Sequence, residues 1–252
     1  MKLQLASDLH LHRDKTFDFE SSDSDILVLA GDIQSGTRGI EFAESLAERH
    51  GKIVLYVAGN HEYYMHNYNQ LQESIRQKTK NSQNVFFLNN DVFYYQDVRF
   101  IGTTLWTDYK LDGRYNQSDV MNIVENILSD HRYIKFGTDG FFTTQHALML
   151  HNTARNFLQE ELNKTWEGKT VVITHHAPSL QCAHPDYQLD QIAGAFISDC
   201  EELVAKADLW LYGHTHANVD FQIGKCRVVS NQLGYERERV PVAFRPELII
   251  EI

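Results

Sequence analysis

Residues 52–62 read Lys52-Ile-Val-Leu-Tyr-Val-Ala-Gly-Asn-His-Glu62. The run from Ile53 to Ala58 is short, apolar and rich in β-branched residues, as in a strand buried on both faces, and it stops at once on residues suited to metal or proton chemistry. The same construction recurs along the chain. Leu3 to Ala6 runs towards Asp8 and His10, Ile26 to Ala30 reaches Asp32, Val171 to Thr174 reaches His175, and Leu209 to Tyr212 reaches His214 and His216. Helical patterns lie between these strands. Ile40, Ala43, Leu46 and Ala47 form one apolar face, and Ala147, Leu150, Ala154, Phe157, Leu158 and Leu162 form another, with Glu160, Glu161 and Lys164 outside. Hairpins are expected where Val92 to Tyr95 and Arg99 to Thr103 flank Gln96-Asp97, and where Val219 to Ile223 and Cys226 to Ser230 flank Gly224-Lys225. Leu248 to Ile252 reads as a last strand. Strands alternating with helices, with added hairpins, predict an α/β fold with mixed sheets, in which ligands gather beyond the carboxyl ends of the strands.

Composition narrows the function. The chain has 252 residues and a formal charge of -11, from 34 acidic and 23 basic residues with 13 histidines counted neutral. That surplus disfavours tracking a long phosphate backbone, which runs on many Lys and Arg contacts. Cys182, Cys200 and Cys226 are odd in number and lack C-x-x-C spacing, so a reducing compartment is expected and a thiolate-held structural zinc is not. Charge interrupts the apolar residues too early at the N-terminus for a secretory segment, and no stretch has the length of a spanning helix; a cytoplasmic protein without a membrane partner is the expectation. No repeat or linker divides the sequence, which reads as a single domain over 1–252 with a variable middle segment at about 84–146.

Taken singly, the motifs have plain readings. Gly31-Asp32 is an ordinary turn signal, Asn60 can cap a helix running on towards Lys80, and His175-His176 can be a hydrogen-bonded loop. In Asp8-Leu9-His10, strand geometry carried past Ala6 would put carboxylate and imidazole on one side. Gly213-His214-Thr215-His216, with two imidazoles at i and i+2, is the most specific element. Five such elements, all at strand ends and all offering oxygen or nitrogen, point jointly to a metal site of carboxylate, amide and imidazole ligands.

The ordered set D-x-H, G-D, G-N-H-E, a strand-end His and G-H-T-H resembles the calcineurin-like metallophosphoesterase superfamily, in its stand-alone bacterial phosphohydrolase branch. The motifs span residues 8–216, and the stretch from about 64 to 170 carries none of them. The resemblance implies two mixed β-sheets packed as a sandwich flanked by α-helices, around two divalent or trivalent metal ions: manganese or iron ahead of zinc or nickel. It implies Asp8, His10 and His216 on the first ion, Asn60, His175 and His214 on the second, Asp32 bridging both, and His61 as the catalytic histidine that binds neither. The implied reaction is hydrolysis of a phosphomonoester or phosphodiester by in-line attack of a metal-bridging hydroxide. One departure is visible. Gly31-Asp32 runs into Ile33-Gln34-Ser35-Gly36, without the further Asp that orients the catalytic histidine in several branches. Glu62 is either its substitute or a favourable charge in a first helical turn.

A small phosphorylated molecule, such as a nucleotide, is the expected substrate. Trp106 and Tyr109 are candidates to stack on a base, His131, Arg132 or Lys135 to meet a second phosphate, and His176 either to sit behind the ligands or to form pocket wall; the plainer readings are core for Trp106 and solvated charge for Arg132 and Lys135. A nuclease of the same superfamily and a non-catalytic metal-binding scaffold are the rivals. The acidic balance counts against the first, and the complete ligand set against the second.

Overall fold

The computed structural model describes residues 1–12, 16–20, 23–138 and 140–252. Strands β1 (Lys2–Ala6), β2 (Ile26–Ala30), β3 (Ile53–Val57) and β4 (Val85–Phe87) follow the short apolar runs, with helices α1 (Arg38–His50) and α2 (Tyr68–Thr79) between them. A hairpin of β5 (Asp91–Tyr95) and β6 (Val98–Thr103) comes next, then α3 (Gln117–Ile127), α4 (Asp130–Tyr133), the small ribbon β7 (Lys135–Phe136) and β8 (Gly140–Phe141), and α5 (Thr144–Asn163). The chain ends with β9 (Lys169–Thr174), α6 (Glu201–Val204), β10 (Leu209–Tyr212), β11 (Asp220–Ile223), β12 (Cys226–Ser230) and β13 (Ile249–Glu251).

The large strands form a five-stranded sheet, ordered β13-β1-β2-β3-β4, and a six-stranded one, ordered β11-β12-β10-β9-β6-β5. Inner strands pair parallel, and β13, β11 and β5 close the edges antiparallel. Side-chain parity then builds the layers. Leu3, Leu5, Val28 and Leu55 from one sheet meet Phe100, Val171, Ile173 and Leu211 from the other in a shared core. Their alternates point the opposite way: Leu27, Leu29, Val54 and Tyr56 join Ile40, Ala43 and Leu46 of α1, whereas Val172, Trp210 and Val228 join Ala154 and Leu158 of α5. The central strands β2, β3 and β10 are therefore apolar throughout because both faces are covered, and burying each such aliphatic side chain contributes about 1.5–3 kcal/mol. This is the helix-flanked two-sheet sandwich expected above. No described helix is long and apolar enough to cross a membrane.

Two local expectations change. The helix foreseen from Asn60 to Lys80 is broken into a 3-10 turn, His61–Tyr63, and α2. Met65 has a left-handed φ of 68°, which no continuous helix tolerates, and Asn67 rather than Asn60 caps α2 by accepting from Gln70 N at 3.2 Å. Strand geometry also stops at Ala6, because Asp8 and His10 take φ of 53° and 43°. Asp8 N and His10 N instead donate to Gly31 O and Asp32 O, both at 3.0 Å, fastening this loop to the one that follows β2.

Candidate metal centre

The loops after β1, β2, β3, β9 and β10 converge at one end of the sandwich, and they bring Asp8, His10, Asp32, Asn60, His175, His214 and His216 together. Asp8, His10 and His216 make one cluster of potential ligands, Asp32, His175 and His214 another, and a third, of His10, Asp32 and His61, joins them, with the ligand atoms of each cluster within 4.8 Å of one another. His10 Nε2 lies 3.1 Å from His216 Nε2, which is 3.4 Å from Asp8 Oδ1. On the other side His175 Nε2 is 3.1 Å from both Asn60 Oδ1 and His214 Nδ1. Asp32 stands between, with Oδ1 3.3 Å from His175 Nε2 and Oδ2 4.0 Å from His10 Nε2.

Such convergence needs an unusual backbone. Asp32, His214 and His216 join Asp8 and His10 in the left-handed region, at φ of 55°, 74° and 49°, a conformation that costs energy and concentrates at functional sites. Glycine is required at two places for room. A Cβ on Gly31, whose φ is 91°, would fall 2.3 Å from His175 Nδ1, and one on Gly59 would fall 2.1 Å from Asp32 Oδ1. At Gly59 the need is therefore close approach to a carboxylate rather than a tight turn.

Hydrogen bonds around the site decide which atoms face inward. His175 Nδ1 lies 2.9 Å from Ala30 O and must donate to it, since a carbonyl only accepts, which in the neutral ring leaves a lone pair on Nε2. Asn60 Nδ2 donates to Asp130 Oδ1 at 2.8 Å, so the amide oxygen turns towards that lone pair. The Asp8 carboxylate accepts the His214 N–H at 3.0 Å. His216 Nδ1 pairs with Glu238, which turns Nε2 towards Asp8 and His10. Converging lone pairs repel unless a cation lies among them, so this nitrogen-and-oxygen donor set fits hard or borderline divalent metals. The three cysteines are buried elsewhere.

Ionisation follows from the same crowding. Burial drives His10 down to about 2 despite Asp8 beside it, and burial among other imidazoles holds His214 well below its usual range. Both are thus neutral bases with lone pairs to give. Burial pushes the Asp32 carboxyl up to about 7 against the pull of His175. Burial also works against protonated His216, but its bonds to Asp8 and Glu238 lift it to about 9.

His61 stands beside this array. Its backbone N donates to Asp32 Oδ1 at 2.9 Å, and its Nε2 lies 3.8 Å from Asp32 Oδ2 and 3.2 Å from Tyr235 OH. The ring stacks on Tyr64, with centroids 4.2 Å apart, and Tyr64 OH donates to Asp130 Oδ1 at 2.6 Å. Glu62 does not orient His61. Fully buried, its carboxylate accepts from Asp32 N at 3.0 Å, from Ile33 N, Gly59 N and Tyr56 OH at 2.7 Å, and so ties the ends of β2 and β3 together. Glu62→Ala would strand those donors and is expected to lower stability by about 3 kcal/mol or more, read as a shifted urea midpoint. Unchanged stability would contradict the clamp.

The pocket candidates lie away from the cavities at the centre. Trp106, 3% exposed, packs on Phe142 in the core with Tyr109 nearby. His131 is buried with Nδ1 3.0 Å from Phe142 O, and Arg132 donates to Asn126 O and Ile127 O, closing the end of α3. His176 lies beneath His214, ring centroids 4.1 Å apart. None of these lines the two cavities at the centre, whose walls include Tyr64, Asp130, Tyr235 and Glu238 instead. Glu238 sits in Tyr235-Glu-Arg-Glu-Arg239, a run that reads as solvated charge; only its contact with His216 distinguishes it. Because a carboxylate on the outer nitrogen of a ligating histidine raises its basicity, Glu238→Gln is expected to weaken metal affinity by roughly 10–100-fold, measured by competition with a chelating dye. Unaltered affinity would deny it that role.

The sequence model of the calcineurin-like phosphoesterases matches residues 1–218. The chain belongs to this family. Uncharacterized protein L509 of Acanthamoeba polyphaga mimivirus is 27% identical over 283 residues, covering 99% of this chain and 96% of that protein. In three dimensions the phosphoesterase fold seen here is similar to the crystal structure of Phosphopantetheinyl Hydrolase (PptH) from Mycobacterium tuberculosis. That comparison has a TM-score of 0.72 and 19% identity, and covers 94% of this chain and 90% of the other. At that identity the likeness shows the fold alone.

Proposed function

We propose that this calcineurin-like phosphoesterase is a dinuclear-metal enzyme that hydrolyses a small phosphomonoester or phosphodiester. The observation that carries the reading is Asp32, one buried carboxylate within 4.0 Å of nitrogen donors from two separate clusters. Asp8, His10 and His216 would hold one ion and Asn60, His175 and His214 the other, with Asp32 shared. When bound, such a pair supplies an activated water and neutralises charge on the phosphoryl oxygens.

The chain's own groups do the remaining work. Hydrolysis adds the oxygen of water to phosphorus and breaks a P–O ester bond, and the departing oxygen needs a proton. His61 faces the cavity and is fixed through its backbone to Asp32, so its imidazole is placed to hydrogen-bond to or protonate that oxygen. Burial lowers the His61 pKa, against the pull of Asp130 and Glu62, and an arriving phosphoryl dianion would favour the protonated ring. Tyr235 OH and the Tyr64 ring hold the imidazole from two sides. Charge again disfavours the nuclease alternative, since a net -11 chain repels a long polyanion.

The test is hydrolysis of p-nitrophenyl phosphate and bis(p-nitrophenyl) phosphate after reconstitution with manganese, iron, zinc or nickel. Metal-dependent turnover of at least one ester, abolished by a chelator, is expected. Two bound metals with no turnover of either ester would overturn the assignment.

A further inference from the structure

Two cavities adjoin the metal centre, and their walls differ in character. The larger, about 610 Å³, is in the range that takes a small organic ligand. Leu128, Ile192 and Phe196 give it apolar surface. Its charged walls are carboxylates, Asp130, Asp186, Asp190 and Glu238 beyond the shared Asp32, and among the described residues no lysine or arginine lines it. The smaller, about 470 Å³, shares Asp32, His61, Tyr64 and Tyr235 with the first and carries Arg38. His61 thus stands on the boundary between an acidic, partly apolar space and one with a guanidinium.

We infer that the larger cavity receives the organic part of the ester, that it selects a group that is uncharged or cationic and partly apolar, and that it rejects one bearing a second phosphate. This rests on the phosphoesterase reading, which supplies the phosphoryl end at the metal centre. A second phosphate in that cavity would face several carboxylates and no described lysine or arginine, while His216 is already paired with Asp8 and Glu238, and like charges a few ångströms apart repel. An ammonium, amide or hydroxyl finds acceptors there, and methylenes find Leu128, Ile192 and Phe196. This places the substrate apart from bisphosphorylated molecules, including those for which Arg132 and Lys135 were the candidate contacts.

The test compares hexyl phosphate, 6-aminohexyl phosphate and hexane-1,6-diol bisphosphate, which share a chain and differ at its far end. As alkyl esters they have slow leaving groups and suit calorimetric titration of the metal-loaded protein at low ionic strength. The Arg38→Ala variant is used, so that Arg38 cannot receive the second phosphate. The amino and plain esters are expected to bind at least ~10-fold more tightly than the bisphosphate. Adding Asp186→Lys, a change on the exposed rim, is expected to shrink that gap by roughly threefold or more. Equal or tighter binding of the bisphosphate, or a gap that Asp186→Lys leaves unchanged, would overturn the inference. Turnover of the p-nitrophenyl esters separates the two readings: its absence with every metal sinks the phosphoesterase assignment, whereas turnover with the wrong order of affinities sinks only the cavity's selectivity.

Discussion

Replacing Asp32 by alanine is expected to reduce ester hydrolysis by on the order of 10³-fold or more and to remove at least one metal equivalent from the reconstituted protein. Asp32 is the carboxylate that stands between the two clusters, 3.3 Å from His175 Nε2 and 4.0 Å from His10 Nε2. Its Oδ1 also accepts the His61 N–H at 2.9 Å, so the same substitution is expected to loosen the turn that carries His61. Asp32→Asn separates these effects, because the amide keeps size and an accepting oxygen while losing the charge that favours two adjacent cations. Metal analysis on the folded variants decides it, and full occupancy by two ions in Asp32→Ala would refute the shared-ligand role.

His61→Ala is expected to behave in the opposite way, keeping both metals and lowering kcat by roughly 10²–10⁴-fold. Metal binding survives because His61 touches Asp32 through its backbone N–H, which alanine retains. The deficit should be larger for an alkyl ester than for p-nitrophenyl phosphate, whose leaving oxygen needs little help from an acid. A uniform loss across leaving groups would mean that His61 binds the phosphoryl group rather than protonating the departing oxygen. An unchanged rate would remove it from catalysis.

Much of the fold was legible because its strands are buried on both faces. Ile26 to Ala30 and Ile53 to Ala58 are apolar without alternation, and such runs ending on Asp32 and Asn60 mark a parallel sheet with chemistry at its carboxyl edge. The break at Met65 was not legible, since a left-handed φ at a non-glycine residue is imposed by surroundings rather than by local preference. Asp8-Leu9-His10 shows a subtler limit. Strand alternation would have put both side chains on one side, and the structure does bring them together, but through two left-handed residues pinned to the loop after β2.

The sequence by itself determined the α/β class and the residues that gather at the centre, because metal ligands must be specific residue types and strand ends are marked by abrupt changes in polarity. Tertiary structure alone decided what surrounds them. Asp130 orients Asn60 across 70 positions of sequence, Tyr235 meets His61 across 174, and Glu238 backs His216 from a loop that looks merely solvated. The same holds for the cavity, whose acidic and apolar walls come from segments with no shared pattern. Hydrogen bonds and like-charge repulsion act through a few ångströms of space, and local sequence records that proximity only where regular backbone geometry enforces it.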